Sequence, residues 1–256
     1  MRVRRFAVAV AGLATIAALA ACQETPAETP GTGASASASA QTQASASDAL
    51  AKASTKLRET TAKMTMSMTG TAEMKVTGSI DGPKKASAMV MQVGVMGQNL
   101  NMETIQLGDE LWLKAAGVPG MPADWMHVDI AKLGAESTLK KQMQDPSYTE
   151  NLLRSAAAVE WDGTNKVKGT IDMTKSPTMN AAAAAALGAN AGAVPFEATL
   201  DDQGRLLTMT VKVGQAIPQA GVGDMTVAYS NYGEAVTIAK PTGKIVEAPA
   251  AILGAL

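Results

Sequence analysis

One cysteine, one histidine and a periodic series of methionines are the residues here whose types and spacing could do chemistry. Met64, Met66 and Met68 recur at every second position, as do Met89 and Met91. Thioethers at that spacing line one side of an extended chain. Three chemistries fit them. Methionine fills irregular gaps in a core. It also makes an adaptable wall for flexible acyl chains. Thioethers select Cu(I), but no histidine or cysteine stands nearby to complete such a site. His127, in Asp124-Trp125-Met126-His127-Val128-Asp129, could serve as a base beside Asp124 or Asp129. A catalytic triad needs a nucleophile held by a third group, and no nucleophile motif appears, so His127 reads as a strand or surface residue. Trp112 and Trp125 read as the edge of a core rather than a sugar platform. Asp201-Asp202 sits at a turn, where such residues are common, and the spaced acidic loop of a calcium site is missing. There is no phosphate-cradling glycine loop and no zinc spacing. The expectation is a protein that is not an enzyme and has no metal or resident cofactor.

The cysteine is explained by its surroundings. Arg2, Arg4 and Arg5 form a positive start, and Phe6 to Ala21 is an uncharged apolar run. Leu19-Ala20-Ala21-Cys22 then places small residues before a cut. This segment resembles a bacterial lipobox, in which the cysteine becomes the lipid-modified first residue. A plain secretory signal with an incidental cysteine is the alternative. The run is too short and too alanine-rich for a retained membrane span of roughly 20 apolar residues. Arg4-Arg5 also hints at twin-arginine export, though the wider pattern is poor. Cys22 is the sole cysteine, so an intramolecular disulfide is excluded. A diacylglycerol and a further acyl chain on its sulfur and new N-terminus would hold the protein stably on a bilayer, at roughly 0.8 kcal/mol per buried methylene.

After Cys22 the stretch 22–47 is built of Ala, Ser, Thr, Pro, Gly and Gln, with Glu24 and Glu28 and no large apolar residue. It cannot bury enough surface to offset its ordering entropy and reads as a flexible tether. Net charge is −1, with no charge block. Nucleic acid, which needs a basic surface, is therefore not the expected partner. The division is thus a signal peptide over 1–21, a tether over 22–47, one folded domain over 48–248 and a tail over 249–256.

The elements that must position the methionines follow from periodicity. Asp48 to Ala62 reads as a helix capped by Ser47 or Asp48, with a thin apolar face of Leu50, Ala53 and Leu57. From Met64 to Asp81 small or apolar residues alternate with polar ones. Straight, that run would reach roughly 60 Å, so it is either strongly curved or two strands in register. Ala86 to Val95, Asn99 to Leu107, Glu110 to Ala115 and Trp125 to Asp129 read as further strands. Ser137 to Ala158 and Thr178 to Asn190 read as helices. Val167 to Met173 is a strand, Phe196 to Val213 a hairpin, and Met225 to Tyr229 with Val236 to Ile238 finish the sheet. The expected fold is α+β. It is a strongly curved, one-sided antiparallel sheet of about ten strands, with helices covering the concave face.

This organisation resembles the actinobacterial LppX/LprA/LprF/LprG-like lipoproteins, which share a half-barrel architecture with LolA and LolB. The resemblance rests on the lipobox at Cys22, the low-complexity tether and the entry segment ALAKASTKLRETTAKMTMSMTG. It also rests on the late hairpin FEATLDDQGRLLTMTVKV and the closing segment VAYSNYGEAVTIAKPTGKIVE. It implies a cavity between sheet and helices that holds the acyl chains of a lipid or glycolipid. It also implies carriage on the outer, extracytoplasmic side of the cell membrane, with an envelope transporter or another protein as partner. The chain departs from that family in being poor in aromatics and dense in methionine and alanine.

The expected cavity wall is Met64, Met66, Met68, Met74, Val76, Met89, Met91, Met209 and Val211. The competing expectation is a solidly packed interior, with an envelope partner or sensor function on the polar face or loops.

Overall fold

Alternation along the chain becomes one open sheet of twelve strands. The computed structural model describes residues 44–70, 72–95, 98–116, 121–134, 137, 140, 156–175, 188–216, 218, 221–249 and 253. Helix α1 (Ala46–Arg58) leads into β1 (Thr61–Gly70), β2 (Ala72–Asp81), β3 (Ala86–Val95), β4 (Gln98–Leu107), β5 (Glu110–Ala116) and β6 (Trp125–Asp129). The strands β7 (Ala157–Trp161), β8 (Lys166–Ile171), β9 (Val194–Leu200) and β10 (Leu206–Val211) follow. The one-turn helix α2 (Val213–Ala216), β11 (Val222–Ser230) and β12 (Ile245–Glu247) complete the order. The spatial order is β12-β6-β5-β4-β3-β2-β1-β11-β10-β9-β8-β7. The strands from β1 to β6, β7 with β8, and β9 with β10 pair antiparallel with their neighbours in sequence, several through short turns.

The long alternating run is two strands. The β1–β2 ladder runs from Thr61↔Asp81 to Met68↔Met74, so folding back keeps every methionine on one face. Gly70 supports this change of direction with φ +128°, and a Cβ there would lie 2.6 Å from the Gly221 carbonyl oxygen. Only glycine tolerates both conditions at low cost. Of the expected fold, the one large, mostly antiparallel sheet is present, open and with twelve strands, and α1 and α2 are its α-helical elements of more than one residue among the described residues.

Helix α1 begins at Ala46, inside the stretch read as tether, because Ser45 is its cap. The Ser45 Oγ accepts the Asp48 N–H at 3.2 Å, which satisfies one of the orphan donors of the first turn. Asp48 in the first turn and Lys56 and Arg58 in the last complement the helix dipole. Leu50, 1% exposed, and Ala53, fully buried, pack into a core with Phe196, Val167, Ile171, Leu200 and Val211. A second core at the opposite wing holds Leu111, Leu113, Met126, Val128, Ile130, Leu133 and Ala248.

Two local expectations are corrected. Ala157 and Ala158, expected at the end of a helix, open β7, with Ala158 at φ +52° where the ladder to β8 shifts register. Val236 to Ile238 form no strand. They line a hollow of about 420 Å3 with Asp81, Lys84, Ala86 and Leu107, as part of a strap that carries the chain from β11 to β12. The strap delivers β12, unforeseen in the sequence, into a parallel pairing with β6. The expected helices over Ser137 to Ala158 and Thr178 to Asn190 fall largely outside the described residues.

Candidate functional site

Residues paired directly across neighbouring strands project to the same face. One cross-strand row runs from Ala115 through Met102, Met91, Val76 and Met66 to Val227. It continues through Met209 and Ala198 to Val167. A second row holds Val93, Met74, Met68, Met225 and Val211. In a third, Gly78 separates Met64 from Met89. All nine residues expected to form a wall therefore share one face of one sheet.

Their burial differs along that face. Met64 (6% exposed), Val76 (8%), Met209 (8%) and Val211 (4%) are buried. Met66, Met68, Met74, Met89 and Met91 are half-buried. These five lie on β1, β2 and β3, between the two sealed wings. Gly78 fits this surface closely, since a Cβ there would lie 2.4 Å from the Ala88 carbonyl oxygen.

Met102 and Met225 belong to the same face and were not named from the sequence. In β4 the inward positions run Leu100, Met102, Thr104 and Gln106, with Ile105 on the other side, so alternation there is too weak to assign a face. Met225 was visible as a strand residue, but only register places it beside Met68. Cys22 lies outside the described residues. Among them, no helix is long and apolar enough to cross a membrane.

The opposite face carries Thr65, Ser67, Lys75 and Thr77, as alternation requires. Near its β5–β6 edge it is less polar. Trp112 is 4% exposed, stacked at a tilt on His127 with ring centroids 5.6 Å apart. The Lys240 ammonium of the strap sits 5.7 Å from the Trp112 ring centroid, within cation–π range.

His127 has neither Asp124 nor Asp129 as partner. Asp124 accepts from Lys244 at 2.8 Å, and Asp129 pairs with Lys132 at 3.0 Å. The His127 Nδ1 meets Glu247 of β12 at 3.0 Å, and its Nε2 meets Glu110 of β5. Burial pulls the imidazole pKa down, but hydrogen bonds to Glu247 and Glu110 outweigh it and raise the value above the ordinary 6.5. A histidine whose two nitrogens are held by two glutamates is a tie between strands. Asp201 is likewise structural, its carboxylate taking the Gln203 and Arg205 backbone N–H groups at 2.9 and 2.8 Å.

No protein-family model matches the chain, and no curated protein matches it. The functional argument therefore stands on the face itself.

Proposed function

We propose that this protein is an envelope lipoprotein, anchored through Cys22 on the extracytoplasmic side of the cell membrane. It binds or transfers lipid or glycolipid acyl chains on the methionine face. The observation that carries this reading is the half-burial of Met66, Met68, Met74, Met89 and Met91, in the middle of a face that is sealed at both wings. A purely structural core would place its least exposed residues at the centre. Here Met64 and Val76 are buried, but the five methionines around them remain accessible.

The chemistry required is simple. An acyl chain laid on this face leaves water at roughly 25 cal/mol per Å2 of apolar area, before entropic costs. Unbranched methionines adapt to a flexible ligand without a fixed shape. The finer architecture belongs to the same proposal: a half-barrel, with the chain between Ser137 and β7 and the chain from Thr178 to Leu187 as helical cover over the concave side. Binding is non-covalent, and the covalent lipid is that on Cys22.

A second reading has its own observation. On the polar face a hollow of about 370 Å3 is lined by Thr77, Ser79, Ala88, Val90, Glu103, Ile105 and Trp125, among others. Val90 is 37% exposed. An apolar floor on an otherwise polar face suits an envelope protein partner, with the methionine face packed solid. Full-length protein made in an actinobacterial host separates the two readings. A stoichiometric lipid in native mass spectra supports the carrier. A bare mass that stays unchanged on incubation with envelope lipids supports the partner surface.

A further inference from the structure

The register of β1, β2 and β11 sets three methionines abreast. Met74 lies directly across from Met68, and Met68 directly across from Met225. Val93 and Val211 flank the row. Met66 follows on the same face of β1. Directly paired residues have Cβ atoms about 4.5–5.5 Å apart. Methionine has three rotatable side-chain bonds, so the outer thioethers can lean over the central one. Positions 68, 74 and 225 are on separate strands, and only the ladder brings them together.

Their setting is suited to a ligand. All three are half-buried, whereas Met126 in the β5–β6 core is 0% exposed. The β1–β11 ladder shifts register between Met68 and Gly70. This row is therefore the last in step before the rim of the sheet, where an ion can enter from the side. Both flanking residues are aliphatic, so no carboxylate or ammonium in the row competes for a cation or repels one.

Thioethers are soft, neutral donors. They favour a soft monovalent d10 ion and have little affinity for magnesium, calcium or manganese, which take oxygen ligands. The usual companion ligands are placed elsewhere. The only cysteine, Cys22, precedes the folded domain, and the only histidine is held by glutamates on the other face. An all-thioether site is complete without them when three sulfurs converge. We propose that Met68, Met74 and Met225 form such a site for Cu(I), with Met66 available as a fourth donor. This goes beyond acyl binding, since it uses sulfur lone pairs at one rim rather than the apolar area of the whole face.

Titration of the full-length protein with Ag(I), and with Cu(I) kept reduced by ascorbate against a competing chelator, tests the proposal. The expected result is one ion per chain. Met68→Leu keeps the volume and should lower affinity at least tenfold, and Met74→Leu and Met225→Leu should each lower it too. Met89→Leu, on the same face but beside Gly78, should leave affinity unchanged. X-ray absorption at the copper edge should show a sulfur shell. The proposal is overturned if no stoichiometric ion binds, if Met68→Leu, still folded by circular dichroism, binds as tightly as the parent, or if Met89→Leu loses as much.

Discussion

Phe196 on β9 and Met66 on β1 project from the same face of the same sheet, yet Phe196 is 1% exposed and Met66 is half-buried. The wing around β8, β9 and β10 is sealed by α1, whose Leu50 and Ala53 reach the strands. Apart from Met209 and several alanines, it is built from phenylalanine, valine, leucine and isoleucine, which have few rotamers and pack in one way. The centre is built from methionine, which packs in many ways. Both regions have clean alternation. What separates them is the cover and the stiffness of the side chains. Alternation therefore identifies an apolar face, while the residue types on it indicate whether that face is meant to close or to adapt.

Breaking the sealed wing should cost most. Phe196→Ala removes the largest fully buried side chain and should destabilise the fold by about 3–5 kcal/mol, read by denaturant unfolding. The corresponding change at the centre should behave differently. Met91→Phe enlarges a half-buried residue paired with Val76 and Met102. In a filled core such overpacking costs about 1–3 kcal/mol. On an adaptable open face the unfolding midpoint should hardly move, while lipid loading in native mass spectra falls severalfold. Ser45→Ala sharpens the role of the cover. It removes the cap of α1 and should cost about 1 kcal/mol. Hydrogen exchange should then quicken in α1 and not in β2 or β3.

The smallest effect concerns the other wing, where His127 ties β12 to β5 and β6. Its folded pKa is raised above 6.5, so the stability it contributes is complete below about pH 6.5. That stability is lost as the pH rises through the raised value. At a partly solvated site the loss should be about 0.5 kcal/mol. It should appear as a falling protection factor, after correction for the intrinsic pH dependence of exchange, at the Ala248 amide, which donates to the His127 carbonyl at 2.9 Å. His127→Gln should remove this pH dependence.

The sheet was legible where strands are long and one face is polar. Met64 to Asp81 and the hairpin from Phe196 onward both follow the period of two, and both appear as paired strands. That the nine residues from Met64 to Val211 share one face was legible for the same reason. Other elements left no local signal. β12 is 3 residues long and pairs in parallel with a strand far away in sequence, so only its partner defines it. Val236-Thr237-Ile238 alternates like a strand, but its apolar side chains line a hollow at the ends of other strands. Ala157 and Ala158 fall in a strand rather than the expected helix because β8 supplies a ladder that local sequence does not show. The Met74–Met68–Met225 row was invisible for a related reason, since register between distant strands is a tertiary property.

The central claim is that the methionine face receives acyl chains. Native mass spectrometry of the full-length protein from an actinobacterial host, followed by organic extraction, tests it most directly. The account predicts a stoichiometric lipid adduct, in addition to the lipid on Cys22, that organic solvent removes and Met91→Phe diminishes. A protein that carries only its covalent lipid, and takes up none from envelope lipids, would contradict it.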